Sequence, residues 1–231
     1  MSSVPQAASS PGSLKGEAST AEPSRHERSI ARRSAEIRAT VPHAEFSTVV
    51  TMDAACRAAS SAGIPVASLV LAAVAQGLRA VPRLNGAYRD GRYERYSRVN
   101  IGVTFAAEGV YAVPTIFDTD VKSATELATE LADYQTRAIA DRLESAELTG
   151  ATFTMTDLTP DQLTSSAPLI PGGQAGALST GALRAVPVVR DGAVVPGLEM
   201  VLTLAVDHRI IQAPDAGRFL TFVREQLEAA A

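Results

Sequence analysis

The run Met200-Val201-Leu202-Thr203-Leu204-Ala205-Val206 constrains the fold more than any other stretch of this chain. Its apolar residues do not alternate with polar ones, so it reads as a buried central strand rather than one with a face in water. Asp207-His208-Arg209 follows at once, and then an amphipathic stretch from Ala216 to Leu227 inside a closing helix expected over Asp215 to Ala231. A histidine where a buried strand gives way to a turn is held rigidly. Its imidazole can take and return a proton near neutral pH, which suits acid–base chemistry. The same position equally suits a structural histidine bonded to Asp207 or Arg209, and the segment alone does not separate the two.

The remaining elements are mixed. Residues 1–23, rich in Ser, Ala, Pro and Gly, read as a disordered leader. Ser24 is placed to cap a helix carrying Ile30, Ala31 and Ile37 and ended by Pro42. A strand is expected over Phe46 to Met52, then a short helix capped by Asp53 and stopped at Gly63. Val66 to Ala80, small or apolar on nearly every face, reads as a buried helix. The turn dipeptides Asn85-Gly86 and Asp90-Gly91 flank strands around Tyr88 and Tyr93. Strands Val99 to Ala106 and Val110 to Ile116, with a turn at Glu108-Gly109, precede a helix over Ser123 to Leu143. Gly150 to Thr156 reads as a strand, and Leu158 to Gly173 as a loop long enough to suggest binding. A strand pair over Ala175 to Val189, broken at Gly181, leads through Arg190-Asp191-Gly192 to Ala193-Val194-Val195. This mixture implies one α/β sandwich.

Composition narrows the function. With 46% hydrophobic residues and a net charge of -4 the chain can build a core but lacks the basic balance of a nucleic-acid binder. Its one cysteine, Cys56, forms no internal disulfide or thiolate metal site and reads as a small buried residue. No metal is expected, because the three histidines, His26, His43 and His208, show no ligand spacing. No membrane span or signal peptide is evident, and a cytoplasmic location is the expectation. Nucleophilic-serine elbows, G-x-G-x-x-G and P-loops are absent; Gly172-Gly173 reads as a flexible turn.

Fragments in order along the chain carry a resemblance. They are Ser29-Ile30-Ala31-Arg32-Arg33, Val41-Pro42-His43, Pro82-Arg83-Leu84-Asn85, Val99-Asn100-Ile101-Gly102-Val103, Val113-Pro114-Thr115-Ile116, Gly150 to Leu158 and Asp207-His208-Arg209. Together they resemble the catalytic domain of the 2-oxoacid dehydrogenase (dihydrolipoyl) acyltransferases, whose signature D-H-R-x-x-D-G is matched in its first half only. The resemblance implies a domain over 24–231. Its fold would be a chloramphenicol acetyltransferase-like two-layer α/β sandwich with a mixed, largely antiparallel sheet and flanking helices. It also implies homotrimers with active sites at subunit boundaries, acetyl-CoA as acyl donor, His208 as general base and Thr156, at the family's serine position, as oxyanion donor. Asp207, Arg209, Gln212 and Arg32 are expected to support the site, and His43, Pro171 and Gly172 to line a substrate or CoA channel. Gln212 departs from the family, where an aspartate or asparagine braces the loop.

The reading favoured for the acceptor is a hydroxyl on a small natural-product intermediate, in particular a hydroxymethyl tetronate acetylated before acetate is eliminated. It rests on a leader too short for lipoyl domains and an end without a long apolar tail, as in stand-alone relatives of tetronate pathways. The alternatives are a non-catalytic trimeric scaffold and a dihydrolipoyl acyltransferase acting in trans.

Overall fold

The computed structural model describes residues 16, 19–107 and 110–230. Most of the expected leader, and the expected turn at Glu108-Gly109, lie outside the described residues. Two compact units are present, one ending at Ala35 and one beginning at Glu36. Helix α1 (Arg25–Thr40) starts in the first. Ser24 caps it as expected: its hydroxyl accepts the Glu27 N–H (3.1 Å), while the Glu27 carboxylate accepts the Ser24 N–H (2.6 Å).

The second unit runs β1 (His43–Thr51), α2 (Asp53–Ala62), α3 (Val66–Ala80), β2 (Gly86–Arg89), β3 (Arg92–Arg95), β4 (Ile101–Ala107), β5 (Val110–Ala112), β6 (Thr115–Ile116), α4 (Ala124–Ile139), β7 (Phe153–Asp157), β8 (Gly176–Thr180), β9 (Arg184–Arg190), β10 (Ala193–Asp207) and α5 (Ala213–Glu228). Eight of these strands form one mixed sheet along the path β1-β10-β8-β7-β4-β5, with β9 on β10 and β6 on β4. The pairs β4–β7 and β7–β8 are parallel; the others are antiparallel. Strands β2 and β3 form a separate hairpin through Asp90 (φ 50°) and Gly91 (φ 75°), whose left-handed backbones suit a two-residue turn.

The apolar run holds the expected central place. Leu202 to Asp207 are all buried, with β1 on one side of β10 and β8 on the other. Strand β10 is longer than expected, joining the Ala193 and Met200 segments without interruption. Pro196 stands opposite Pro187, so neither ring removes an N–H that the other needed. At Gly197 a β-carbon would lie 2.7 Å from Val188, so the close pairing requires glycine.

Other boundaries moved for local reasons. Strand β1 starts three residues early, because His43 already pairs with Asp207. Asp53 does not cap α2: Met52 holds that position, and the Asp53 carboxylate binds Arg190 and the Leu198 N–H instead. The β-strand expected over Val110 to Ile116 breaks at Val113-Pro114. Helix α4 is capped by Ser123, the expected helix start, and ends at Ile139, short of Leu143.

Helix α3 lies buried between α5 and α4. Gly77 lets α5 approach closely, since a β-carbon there would meet the Phe219 ring at 2.9 Å. Phe219 in turn packs on Phe153 of β7, with ring centroids 5.9 Å apart. Cys56 is partly buried, and burial raises its thiol pKa, so it is not primed as a nucleophile. Among the described residues no single helix is long and apolar enough to cross a membrane.

Candidate active site

His208 sits just past the end of β10, exposed, on a turn that several bonds close. Its own N–H donates to the Pro42 carbonyl (2.9 Å), and the N–H groups of Ile210 and Ile211 donate to the Asp207 carbonyl. The imidazole Nδ1 lies 3.0 Å from the Ile211 carbonyl. A carbonyl can only accept, so Nδ1 carries a proton; in the neutral ring Nε2 is then the basic nitrogen, and no described residue bonds it. The ring is bonded to neither Asp207 nor Arg209.

Those two residues instead form a brace beneath it. The Asp207 side chain is 2% exposed and accepts from the Arg209 N–H (3.1 Å), Nε (2.9 Å) and Nη2 (2.6 Å). The carboxylate holds the Arg209 pKa above its ordinary value. The guanidinium also lies 4.4 Å over the Tyr88 ring of β2, a cation–π contact that ties the hairpin to the turn. Gln212 closes the far side, its Nε2 donating to the His208 carbonyl at 2.9 Å.

Thr156 stands elsewhere. It shares a row with Ser179 of β8 and Thr203 of β10, and Asp207 is four residues further along β10. That separation is about 13 Å along the strands and about 10 Å across them. Within one copy, therefore, Thr156 and His208 do not meet. The Thr156 hydroxyl is partly buried, 3.0 Å from the Thr104 hydroxyl of β4.

His43 serves the backbone. Its Nδ1 lies 2.8 Å from the Val41 carbonyl, and its Nε2 accepts the Ile170 N–H at 3.2 Å, so both ring nitrogens are engaged. It pins the loop after β7 to the start of β1, beside Asp207. That loop also packs on the sheet: Ser179 donates to the Ser166 carbonyl, and the Ala182 N–H to the Leu163 carbonyl (2.7 Å). At Gly181 a β-carbon would lie 1.9 Å from the Thr164 carbonyl oxygen, which explains the glycine.

Pro171 accepts the Gln174 N–H, and Gly172 lines a cleft of about 530 Å³ together with Arg89, Arg95, Tyr96, Arg98 and Gly173. Arg32 lies exposed on α1. Among the described residues no cluster of three His, Cys, Asp or Glu side chains could hold a metal. Gly172 was expected to line a channel, but Tyr88, Thr104 and the arginines of this cleft were not singled out from the sequence. The cleft had a signal, an arginine at every third position from Arg89 to Arg98.

The sequence pattern of the family described as "2-oxoacid dehydrogenases acyltransferase (catalytic domain)" matches residues 16–231. The dihydrolipoyllysine-residue acetyltransferase component of the pyruvate dehydrogenase complex of Mycobacterium bovis is 35% identical over 166 residues, covering 69% of this chain and 30% of that protein. The chain spans from 24% to 51% of the length of the curated relatives it matches. The solved dihydrolipoamide acetyltransferase of Azotobacter vinelandii superposes with a TM-score of 0.85 at 25% identity, covering 98% of both chains. It was solved in an investigation of a serine, a histidine and an asparagine in its catalytic mechanism. Chloramphenicol acetyltransferase shares the fold, with a TM-score of 0.53 at 14% identity, over 85% of this chain and 94% of that one.

Proposed function

Because the chain belongs to the 2-oxoacid dehydrogenase acyltransferase family, of which it carries the catalytic domain, we propose that it transfers acetyl from acetyl-CoA to a nucleophile at a site shared by two copies. The single observation that carries this reading is the His208 ring, exposed, with Nδ1–H committed to Ile211 and Nε2 without a partner among the described residues. In the A. vinelandii enzyme the serine and histidine are separated by as many residues as Thr156 and His208, and the asparagine follows its histidine by four, as Gln212 follows His208. This equal spacing supports the same three roles here, with threonine for serine and glutamine for asparagine.

In this mechanism His208 Nε2 removes the proton of the acceptor O–H as its oxygen adds to the thioester carbonyl. A C–O bond forms, and the carbonyl π pair moves onto oxygen. The oxyanion accepts a hydrogen bond from the Thr156 hydroxyl of a neighbouring copy. Collapse restores the carbonyl, breaks the C–S bond, and the CoA thiolate recovers the proton from His208. Because one chain holds these groups so far apart, a closed assembly with sites at its boundaries, a homotrimer, is part of the proposal.

For the acceptor we favour a hydroxyl on a small molecule, a hydroxymethyl tetronate being the specific case. The support is the chain's departure from the lipoyl enzymes at two positions of the proposed site, Thr156 and Gln212. A second reading, transfer to a dihydrolipoyl thiol, is favoured by the names of the relatives. Acetyl-CoA consumption measured with a hydroxymethyl tetronate and with dihydrolipoamide separates the two. In either case His208→Ala should abolish transfer and Thr156→Ala should lower kcat by about 10²–10³-fold. Equal rates for wild type and His208→Ala would sink the mechanism.

A further inference from the structure

Five hydroxyl side chains lie in one register row across the sheet: Ser47, Thr203, Ser179, Thr156 and Thr104, on β1, β10, β8, β7 and β4. Directly paired residues point to the same face, so the row is a continuous line of hydroxyls across five strands. Its members are not equivalent. Ser47 and Thr203 pair with each other at 3.1 Å, and Ser179 donates to the Ser166 carbonyl. At the other end Thr104 and Thr156 have only each other among the described residues, 3.0 Å apart and partly buried.

A hydroxyl has one proton to give. If Thr156 donates to Thr104, it has none left for an oxyanion. If Thr104 donates to Thr156, the Thr156 proton is free to point outward, and accepting a bond makes that hydroxyl a stronger donor. Among the described residues Thr104 forms no other side-chain hydrogen bond that would hold its proton elsewhere. The paired parallel strands fix both backbones, and β-branching limits each χ1, so the two oxygens stay in register.

We propose that Thr104 is a positioning residue for acyl transfer: its hydroxyl donates to Thr156 and turns the Thr156 proton toward the developing oxyanion. The inference rests on the proposed role of Thr156 and adds a second hydroxyl behind it. The relay is charge-neutral and forms and breaks no covalent bond. It acts only in the transition state, when negative charge appears on the carbonyl oxygen, so it governs kcat and leaves acetyl-CoA binding alone.

The test compares Thr104→Val, Thr104→Ser and Thr156→Ala, each alone, and Thr104→Val combined with Thr156→Ala. The full chain is assayed with acetyl-CoA and both acceptors, the hydroxymethyl tetronate and dihydrolipoamide. Valine keeps the shape of threonine and removes only the hydroxyl. The expected result is a kcat lowered about three- to tenfold in Thr104→Val, the size of one neutral hydrogen bond, with KM for acetyl-CoA unchanged. Thr104→Ser should restore kcat, and Thr104→Val should have no further effect in the Thr156→Ala background. A wild-type kcat in Thr104→Val beside a strongly impaired Thr156→Ala overturns the relay and leaves the role of Thr156 intact. So does an equal further loss in the Thr156→Ala background. A wild-type kcat in Thr156→Ala removes the reading on which the relay stands. Thermal unfolding of Thr104→Val distinguishes a folded variant from a damaged one, and Thr104→Ser carries the test if valine perturbs the strand.

Discussion

Replacing Asp207 by asparagine tests whether the brace beneath His208 holds the catalytic turn. Asparagine keeps the shape and one carbonyl oxygen, which can still accept from the Arg209 N–H and Nε, as Oδ1 does now at 3.1 and 2.9 Å. The other oxygen becomes an amide that faces Nη2, replacing a 2.6 Å charge-assisted bond with two opposed donors. Such a bond is worth about 1.5–3 kcal/mol. The Arg209 side chain is 33% exposed and stacked on Tyr88, so solvent and the ring recover part of the loss. The expected cost is about 2 kcal/mol, or a fall in Tm of about 4–8 °C for a chain of this size. Arg209 also sets the turn on which His208 sits, and an imidazole displaced by an ångström costs on the order of 10²-fold in rate. Calorimetry should therefore show the lower Tm, and acetyl-CoA consumption a kcat reduced by about ten- to a hundredfold. Adding Arg209→Met, which removes the unpaired charge, should recover Tm without recovering kcat. An Asp207→Asn protein with unchanged Tm and kcat would refute the brace.

Two further outcomes follow from the contacts. His43→Ala leaves the buried Ile170 N–H without its acceptor, costing about 1–3 kcal/mol, and should speed limited proteolysis within 158–173; unchanged cleavage would argue against the latch. The Glu147 carboxyl is held below the ordinary glutamate range by its hydrogen bonds from Arg137 and from the Glu144 backbone. Its contribution is thus fully present above the unfolded glutamate pKa and is lost as pH falls through the lower folded value. Glu147→Gln should lower stability at neutral pH and flatten the acid limb of a denaturation-against-pH curve. An acid limb as steep as the wild type's would contradict that linkage.

The sequence was most legible where local chemistry and tertiary packing agree. The apolar run before Asp207 could only be a buried strand, and helix α3 is apolar on too many faces to lie on a surface. The Ser24 and Ser123 caps announce themselves through the glutamate three residues on. Boundaries failed where a distant partner decided them. Asp53 looks like a cap, but Arg190 and Leu198 take its carboxylate. Pro196 looks like a strand end, but Pro187 faces it. At the site, His208 and Gln212 were visible as a motif, whereas the ring's actual partner, Ile211, is a backbone carbonyl that no side-chain pattern encodes. Tyr88 reaches the site through its ring contact with Arg209, and Thr104 through strand pairing with Thr156, neither of which spacing along the chain reveals. The separation of Thr156 from His208 emerged only from the register of β7, β8 and β10.

That separation is the centre of the account, and subunit mixing tests it most directly. His208→Ala and Thr156→Ala chains, differently tagged, are co-expressed in equal amounts and the mixed assemblies isolated through both tags. If each site takes its histidine from one copy and its threonine from the next, every mixed trimer holds one rebuilt boundary, roughly a third of its sites. The prediction is transfer activity near a third of wild type, roughly one boundary in three, from two variants that are each nearly inactive alone. Mixed assemblies no more active than their parents would contradict a site shared between copies.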